Sequence, residues 1–246
     1  MAPTLTRSGS FASPPNSFEV QHCGLSPDPA SVRPVINFRL FGIPVSVLPW
    51  HWLILALIGG MNIDASSREG LLLIALFVLA GFVSVLIHEF GHALTGRIFG
   101  ARPEVVLHGM GGYAAFPNSR FSRLQSIAVT AAGPGIQLIL AGIAFLILYF
   151  APLPDTLIRE FFWFLFLVSF FWALINLIPV YPLDGGQIMF SIMGPARRKL
   201  ALQISIGAAV IGGAFLFLWL HSMIFPIILG FKAYENYKEL TNTRWP

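Results

Sequence analysis

Charge is what this sequence has least of. It carries 15 Lys and Arg and 11 Asp and Glu in 246 residues, 11% in all, against roughly 25% in an ordinary soluble domain. With 56% hydrophobic residues, the chain cannot cover itself with polar surface in water. Cysteine is nearly absent: Cys23 stands alone, which excludes an intrachain disulfide and assigns the thiol no redox role. The N-terminus lacks a basic start leading into an apolar core and cleavage site, so no secretory signal peptide is expected there and insertion is expected to begin with the first span. No basic stripe interleaved with exposed aromatics is present, which argues against nucleic acid as a partner despite the net charge of +4. Internal repeats are absent too.

What the sequence has instead is long apolar runs. Leu40 to Gly60, Leu124 to Phe150, Phe161 to Leu183 and Leu200 to Phe231 each match or exceed the ~20 residues that cross a bilayer as helix. A further span runs from about Leu71 to Arg97. The last run is too long for one span and short for two; a tight hairpin near His221 resolves it and brings the expected total to about six. With the N-terminus inside, thirteen of the fifteen Lys and Arg fall on the inner side and only Arg68 and Arg159 outside. This is the bias of cytoplasmic loops. The expected fold class is an all-α polytopic membrane protein. Residues 1–36, rich in Ser and Pro, read as a disordered cytoplasmic tail, and residues 37–240 as one integral membrane domain. The compact chain favours a bacterial inner membrane, with the lipid bilayer as its medium.

Two segments break the apolar pattern. Between Gly100 and Ser122, Gly109, Gly111, Gly112 and two prolines forbid a regular helix in a stretch too apolar for a solvated loop. A re-entrant hairpin is expected, buried in protein so that its amides find partners. The third span contains Gly133-Pro134-Gly135, expected to interrupt the helix and to let a neighbouring backbone approach closely.

The chemistry sits at His88-Glu89-Phe90-Gly91-His92. Residues at i and i+4 share a helical face, so two imidazoles can grip one Zn²⁺ while Glu89 stands beside the water that such an ion activates. Ionisable groups inside a span cost ~2.5 kcal/mol or more and mark function by default. A catalytic zinc takes a third protein ligand. The extended pattern that would supply a histidine fails, since Thr95 and Ile98 occupy the required Gly and His positions. Of the eleven acids, only Asp184 besides Glu89 abuts an uninterrupted apolar span, with Glu104 on the broken segment as runner-up. Pro179, Pro182, Gly185 and Gly186 would unwind the chain around Asp184 and turn its carboxylate inward. Among the other histidines, His51, flanked by Trp50 and Trp52, reads as an interfacial belt residue, and His108 is a minor candidate for the open zinc position.

His88-Glu89-x-x-His92, Ala132-Gly133-Pro134 and Asn176-x-x-Pro179-x-x-Pro182-Leu183-Asp184-Gly185, in this order over roughly half the chain, resemble the site-2 proteases, polytopic zinc endopeptidases that cleave membrane-embedded proteins. The resemblance implies one Zn²⁺ per chain held by His88, His92 and Asp184, with Glu89 as general base. It implies a catalytic core of the second, third and fourth spans and a transmembrane, single-span protein as substrate. Gly111, Gly112 and Tyr113 would pair with an unwound substrate strand. Gln137, where members often carry Asn, and Asn176 are further candidates for substrate contact. Two other classes compete: an inactive membrane scaffold or metal-binding relic, which the retained Glu89 disfavours, and a zinc transporter, which would need ligands on several spans. The sequence carries no mark of oligomeric state.

Overall fold

The computed structural model describes residues 36–61, 63–153, 157–220 and 223–242. Cys23, His221 and the expected tail lie outside these, apart from Ile36, which begins the first strand. The order is β1 (Ile36–Leu40), β2 (Ile43–Val47), α1 (Pro49–Gly60), α2 (Arg68–Ile98), β3 (Glu104–His108), β4 (Gly111–Ala115), α3 (Arg123–Phe150), α4 (Leu157–Asn176), α5 (Asp184–Met193), α6 (Arg198–Leu220) and α7 (Ile224–Asn242).

Among the described residues, four helical segments are long and apolar enough to cross a membrane: Arg68–Ile98, Arg123–Phe150, Leu157–Asn176 and Pro195–Leu218. The first and last of the six spans expected from hydropathy are not among them. The 12 residues of α1 fall short of the ~20 a span needs, and α7 carries Lys232, Glu235, Lys238 and Glu239. The hairpin expected near His221 falls between α6 and α7, outside the described residues.

The largest departure from an all-α fold is a four-stranded sheet in the order β1-β2-β3-β4. The expected first span, Leu40 to Gly60, begins as strand and turn and becomes helix only from Pro49. Phe41 and Gly42 both adopt positive φ, 51° and 75°, the two-residue turn that joins antiparallel strands with the right twist. Arg97 at the end of α2 donates to the Phe41 carbonyl and fixes that turn. After it, Ile43, Val45 and Val47 point inward and are buried while Pro44 and Ser46 are half-exposed, the period-2 pattern of a strand. β2 then pairs in parallel with β3 across the α1–α2 crossover, and β3 turns back antiparallel into β4. The inner face of the sheet packs on the C-terminal half of α2 through Val85, Phe90 and Ala93.

The re-entrant Gly-rich hairpin is present as β3–β4. Its tip is held from α1, because the His51 ring, 2% exposed, has Nδ1 3.1 Å from the His108 carbonyl. His51 is therefore a buried anchor and not an interfacial residue. Its flanking tryptophans suggested a belt, but the turn it holds supplies a polar partner indoors.

α2, α3 and α4 form the helical core, meeting at Ala80, Ala144 and Leu165. α3 opens with a capping box between Ser122 and Gln125 and runs unbroken through Gly133-Pro134-Gly135, where an interruption was expected. One missing amide is tolerated in a helix whose neighbours re-satisfy the freed carbonyl. Close approach does occur: a Cβ on Gly91 of α2 would meet the Ala132 carbonyl at 2.5 Å.

Candidate metal centre

His88 and His92 are one turn apart on α2, both buried, with ring centroids 4.8 Å apart. Asp184 reaches them from the first position of α5, where the helix N-terminus favours a carboxylate. It arrives there because α4 stops at Asn176 and residues 177–183 run irregularly, as the prolines and glycines around it require. His88 Nε2 lies 3.1 Å from Asp184 Oδ2, His92 Nε2 lies 3.5 Å from Asp184 Oδ1, and the two Nε2 atoms are 3.1 Å apart. One ligand atom from each residue falls within 4.8 Å of the others. Glu104, the alternative third ligand, is exposed on β3 and outside this cluster. His108 is outside it as well; its Nδ1 accepts from the Met110 amide.

The outer nitrogens decide how the rings present themselves. His88 Nδ1 is 2.8 Å from Gln137 Oε1 and His92 Nδ1 is 2.8 Å from the Val129 carbonyl. Both partners accept, so both Nδ1 atoms carry the proton and both Nε2 lone pairs face inward. Three unprotonated donor atoms thus converge in a buried space. Asp184 Oδ2 is fully buried without a hydrogen-bond donor, despite its 3.1 Å separation from His88 Nε2, because that nitrogen has no proton to give. Two nitrogens and a carboxylate with lone pairs aimed at one point repel one another until a cation joins them. This set fits Zn²⁺, which accepts His nitrogen and carboxylate oxygen.

The second layer was only partly visible in the sequence. Gln137 is fully buried and its amide nitrogen donates to Ser84 Oγ at 2.8 Å; Ser84 Oγ in turn accepts from Ser169 Oγ at 2.9 Å. Gln137 therefore holds His88 on one side and Ser84 on the other. The signal was present in Ser84, which lies four residues before His88 on the same helical face. Val129 precedes Thr130, the residue whose carbonyl Pro134 leaves without its helical donor.

Glu89 is buried against β4: a Cβ on Gly112 would come within 2.8 Å of its Cγ and 2.9 Å of its Oε1. The hairpin thus lies directly over the carboxylate. Gly111, at φ 119°, has Trp172 of α4 packed where a side chain would stand, so glycine is required there twice over. Tyr113 follows on β4, its ring 5.8 Å from that of His108. Asn176 is turned back on its own helix, donating to the Trp172 carbonyl at 3.0 Å, and does not join the cluster.

Comparison with known proteins agrees with this geometry. A family model described as peptidase family M50 matches residues 151–219, the stretch that contains Asp184. A zinc metalloprotease of Methanocaldococcus jannaschii is 30% identical over 182 residues, which cover 71% of this chain and 51% of that protein; the chain thus spans about half the length of this curated relative. The solved structure of a site-2 protease from Methanocaldococcus jannaschii superposes with a TM-score of 0.57 at 25% identity, over 86% of this chain and 97% of the other. With its apolar helices and its His-His-Asp cluster, the chain is an integral membrane protein that belongs to the site-2 protease family, peptidase family M50.

Proposed function

We propose that this chain is a zinc-dependent intramembrane endopeptidase that hydrolyses peptide bonds of single-span membrane proteins. The observation that carries this reading is the seat of Glu89: beside three converging donor atoms on one side and against the outer strand of a sheet on the other. Bound among His88, His92 and Asp184, zinc supplies Lewis acidity and makes water a nucleophile near neutral pH. Glu89 accepts the proton of the attacking water and returns it to the leaving amine. β4 is the last strand of its sheet, and an unwound substrate segment adds alongside it by backbone hydrogen bonds. Pairing with that edge draws the segment out of helical form, which exposes a peptide carbonyl otherwise shielded within its own turn. Gly112, lacking a side chain, lets the strand lie directly against Glu89.

The finer topology belongs to the same proposal. Residues 37–240 form the membrane protease domain and the membrane is a bacterial inner membrane; the N-terminus is cytoplasmic, an orientation that the distribution of Lys and Arg supports.

Zinc stoichiometry tests the ligand set before any substrate is known. Detergent-purified protein is expected to hold one zinc per chain, and His92→Ala and Asp184→Ala to lose it. A panel of doubly tagged single-span proteins co-expressed with the enzyme then tests the chemistry: cleavage should appear with wild type and vanish with Glu89→Gln. Cleavage that survives Glu89→Gln, or a zinc content unaffected by Asp184→Ala, would overturn the reading.

A further inference from the structure

The segment that delivers Asp184 is not held by the catalytic helices alone. Residues 177–183 leave α4 and run irregularly to α5, so their backbone polar groups have no ladder to join. At Tyr181 both groups are met from the C-terminal pair of helices. The Tyr181 amide donates to Ser205 Oγ of α6 at 2.7 Å, and Asn236 Nδ2 of α7 donates to the Tyr181 carbonyl at 2.8 Å. Asn236 Nδ2 also lies 2.9 Å from Ser205 Oγ, which closes the three groups into one cluster. Ser205 and Asn236 are fully buried polar side chains, and the only backbone they grip between them is that of Tyr181 among the described residues.

The neighbouring residue strengthens the grip. Val180 is fully buried in a cluster with Ala209, Leu216 and Leu229 of the same two helices. On the other side the segment is wedged against the start of α5, since a Cβ on Gly186 would overlap the Val180 carbonyl carbon and the Tyr181 nitrogen. Tyr181 is thus pinned by α6 and α7, packed on the first turn of α5, and three residues from Asp184.

We propose that Ser205 and Asn236 are positioning residues for the metal centre: by clasping the Tyr181 backbone they fix the place of the Asp184 carboxylate, and so set the zinc affinity of a site they never touch. The proposal rests on the zinc reading above. Partners that orient a metal ligand typically contribute 10–100-fold in affinity. A purely structural role would weaken the fold without changing what the folded protein binds.

The test uses the full chain in detergent and reads zinc affinity by competition with a fluorescent chelator, together with the visible spectrum of the cobalt-substituted protein. Asn236→Leu and Ser205→Ala are expected to weaken zinc about 10-fold or more and to alter the cobalt spectrum, while Ser205→Thr, which keeps the hydroxyl, stays near wild type. Should Asn236→Leu fail to fold, the Ser205 pair decides alone. Wild-type affinity and an unchanged spectrum in Ser205→Ala, with only a lower melting temperature, would overturn the proposal. Wild-type protein that binds no zinc would overturn the metal reading, and the clasp's role with it; the two failures are told apart by the wild-type measurement.

Discussion

The imidazole of His92 occupies the space that a Cβ on Gly133 would fill. The ring is wedged between α2 and α3 with its Nδ1 on the Val129 carbonyl, so its orientation is set by a missing methyl group as much as by a hydrogen bond. Gly133→Ala is expected to push the ring off its axis and weaken zinc about 10-fold or more, on the scale of other ligand-orienting contacts. Gly135→Ala is the matched control, because nothing lies within 4 Å of a Cβ there; its zinc affinity should equal that of wild type. Chelator competition on both variants checks the pair.

Gln137 should act on zinc through His88. Gln137→Leu removes the acceptor of the Nδ1 proton, freeing the ring to take the other tautomer, and should cost 10–100-fold in zinc affinity. Gln137→Glu retains an oxygen for that proton and should recover most of the loss. Equal zinc binding in the leucine and glutamate variants would show that the buried amide has no hold on the ligand.

Gly112 separates zinc binding from hydrolysis. Gly112→Val places carbon against Glu89 and Leu107, and no atom of His88, His92 or Asp184 is among the three nearest to that position. Zinc content should stay at one per chain while cleavage falls by the ~10²–10⁴ that a general base contributes. Joint measurement of metal and cleavage on one preparation checks this, and loss of zinc in the variant would refute the separation.

Zinc removal should destabilise the folded protein. Three converging acceptors are held together in the native state and scattered in the unfolded one, so an ion that joins them favours folding; free zinc at 100 times its dissociation constant contributes ~2.7 kcal/mol. Melting temperature should fall with chelator in wild type and in Glu89→Gln alike, and stay flat in Asp184→Ala.

The cluster of His88, His92 and Asp184 was legible because helical geometry puts residues four apart on one face, and because Asp184 is a carboxylate at a place where prolines and glycines break an apolar span. The Gly-rich hairpin was legible for the opposite reason, since Gly109, Gly111 and Gly112 forbid a helix. What hydropathy concealed was β2. An apolar strand buried on α2 adds to the same run as apolar α1, and a window that sums them reads one span. The alternation in Ile43-Pro44-Val45-Ser46-Val47 is a period-2 signal that length overrode. The layer behind the ligands was hidden differently: Ser84, Ser169, Ser205 and Asn236 are unremarkable in sequence, and only the packing of distant helices joins them.

The length of α2 carries a consequence for any protein cut at this centre. Its 31 residues measure ~46 Å at 1.5 Å per residue, well beyond the ~30 Å of bilayer hydrocarbon. His88 stands 20 residues from Arg68 and 10 from Ile98, so the metal centre lies about twice as far from one end of the helix as from the other. Under the proposed activity, a spanning partner lying parallel to α2 would be severed off-centre into stumps of unequal apolar length, and where two histidines fall along one helix would set which stump is the longer.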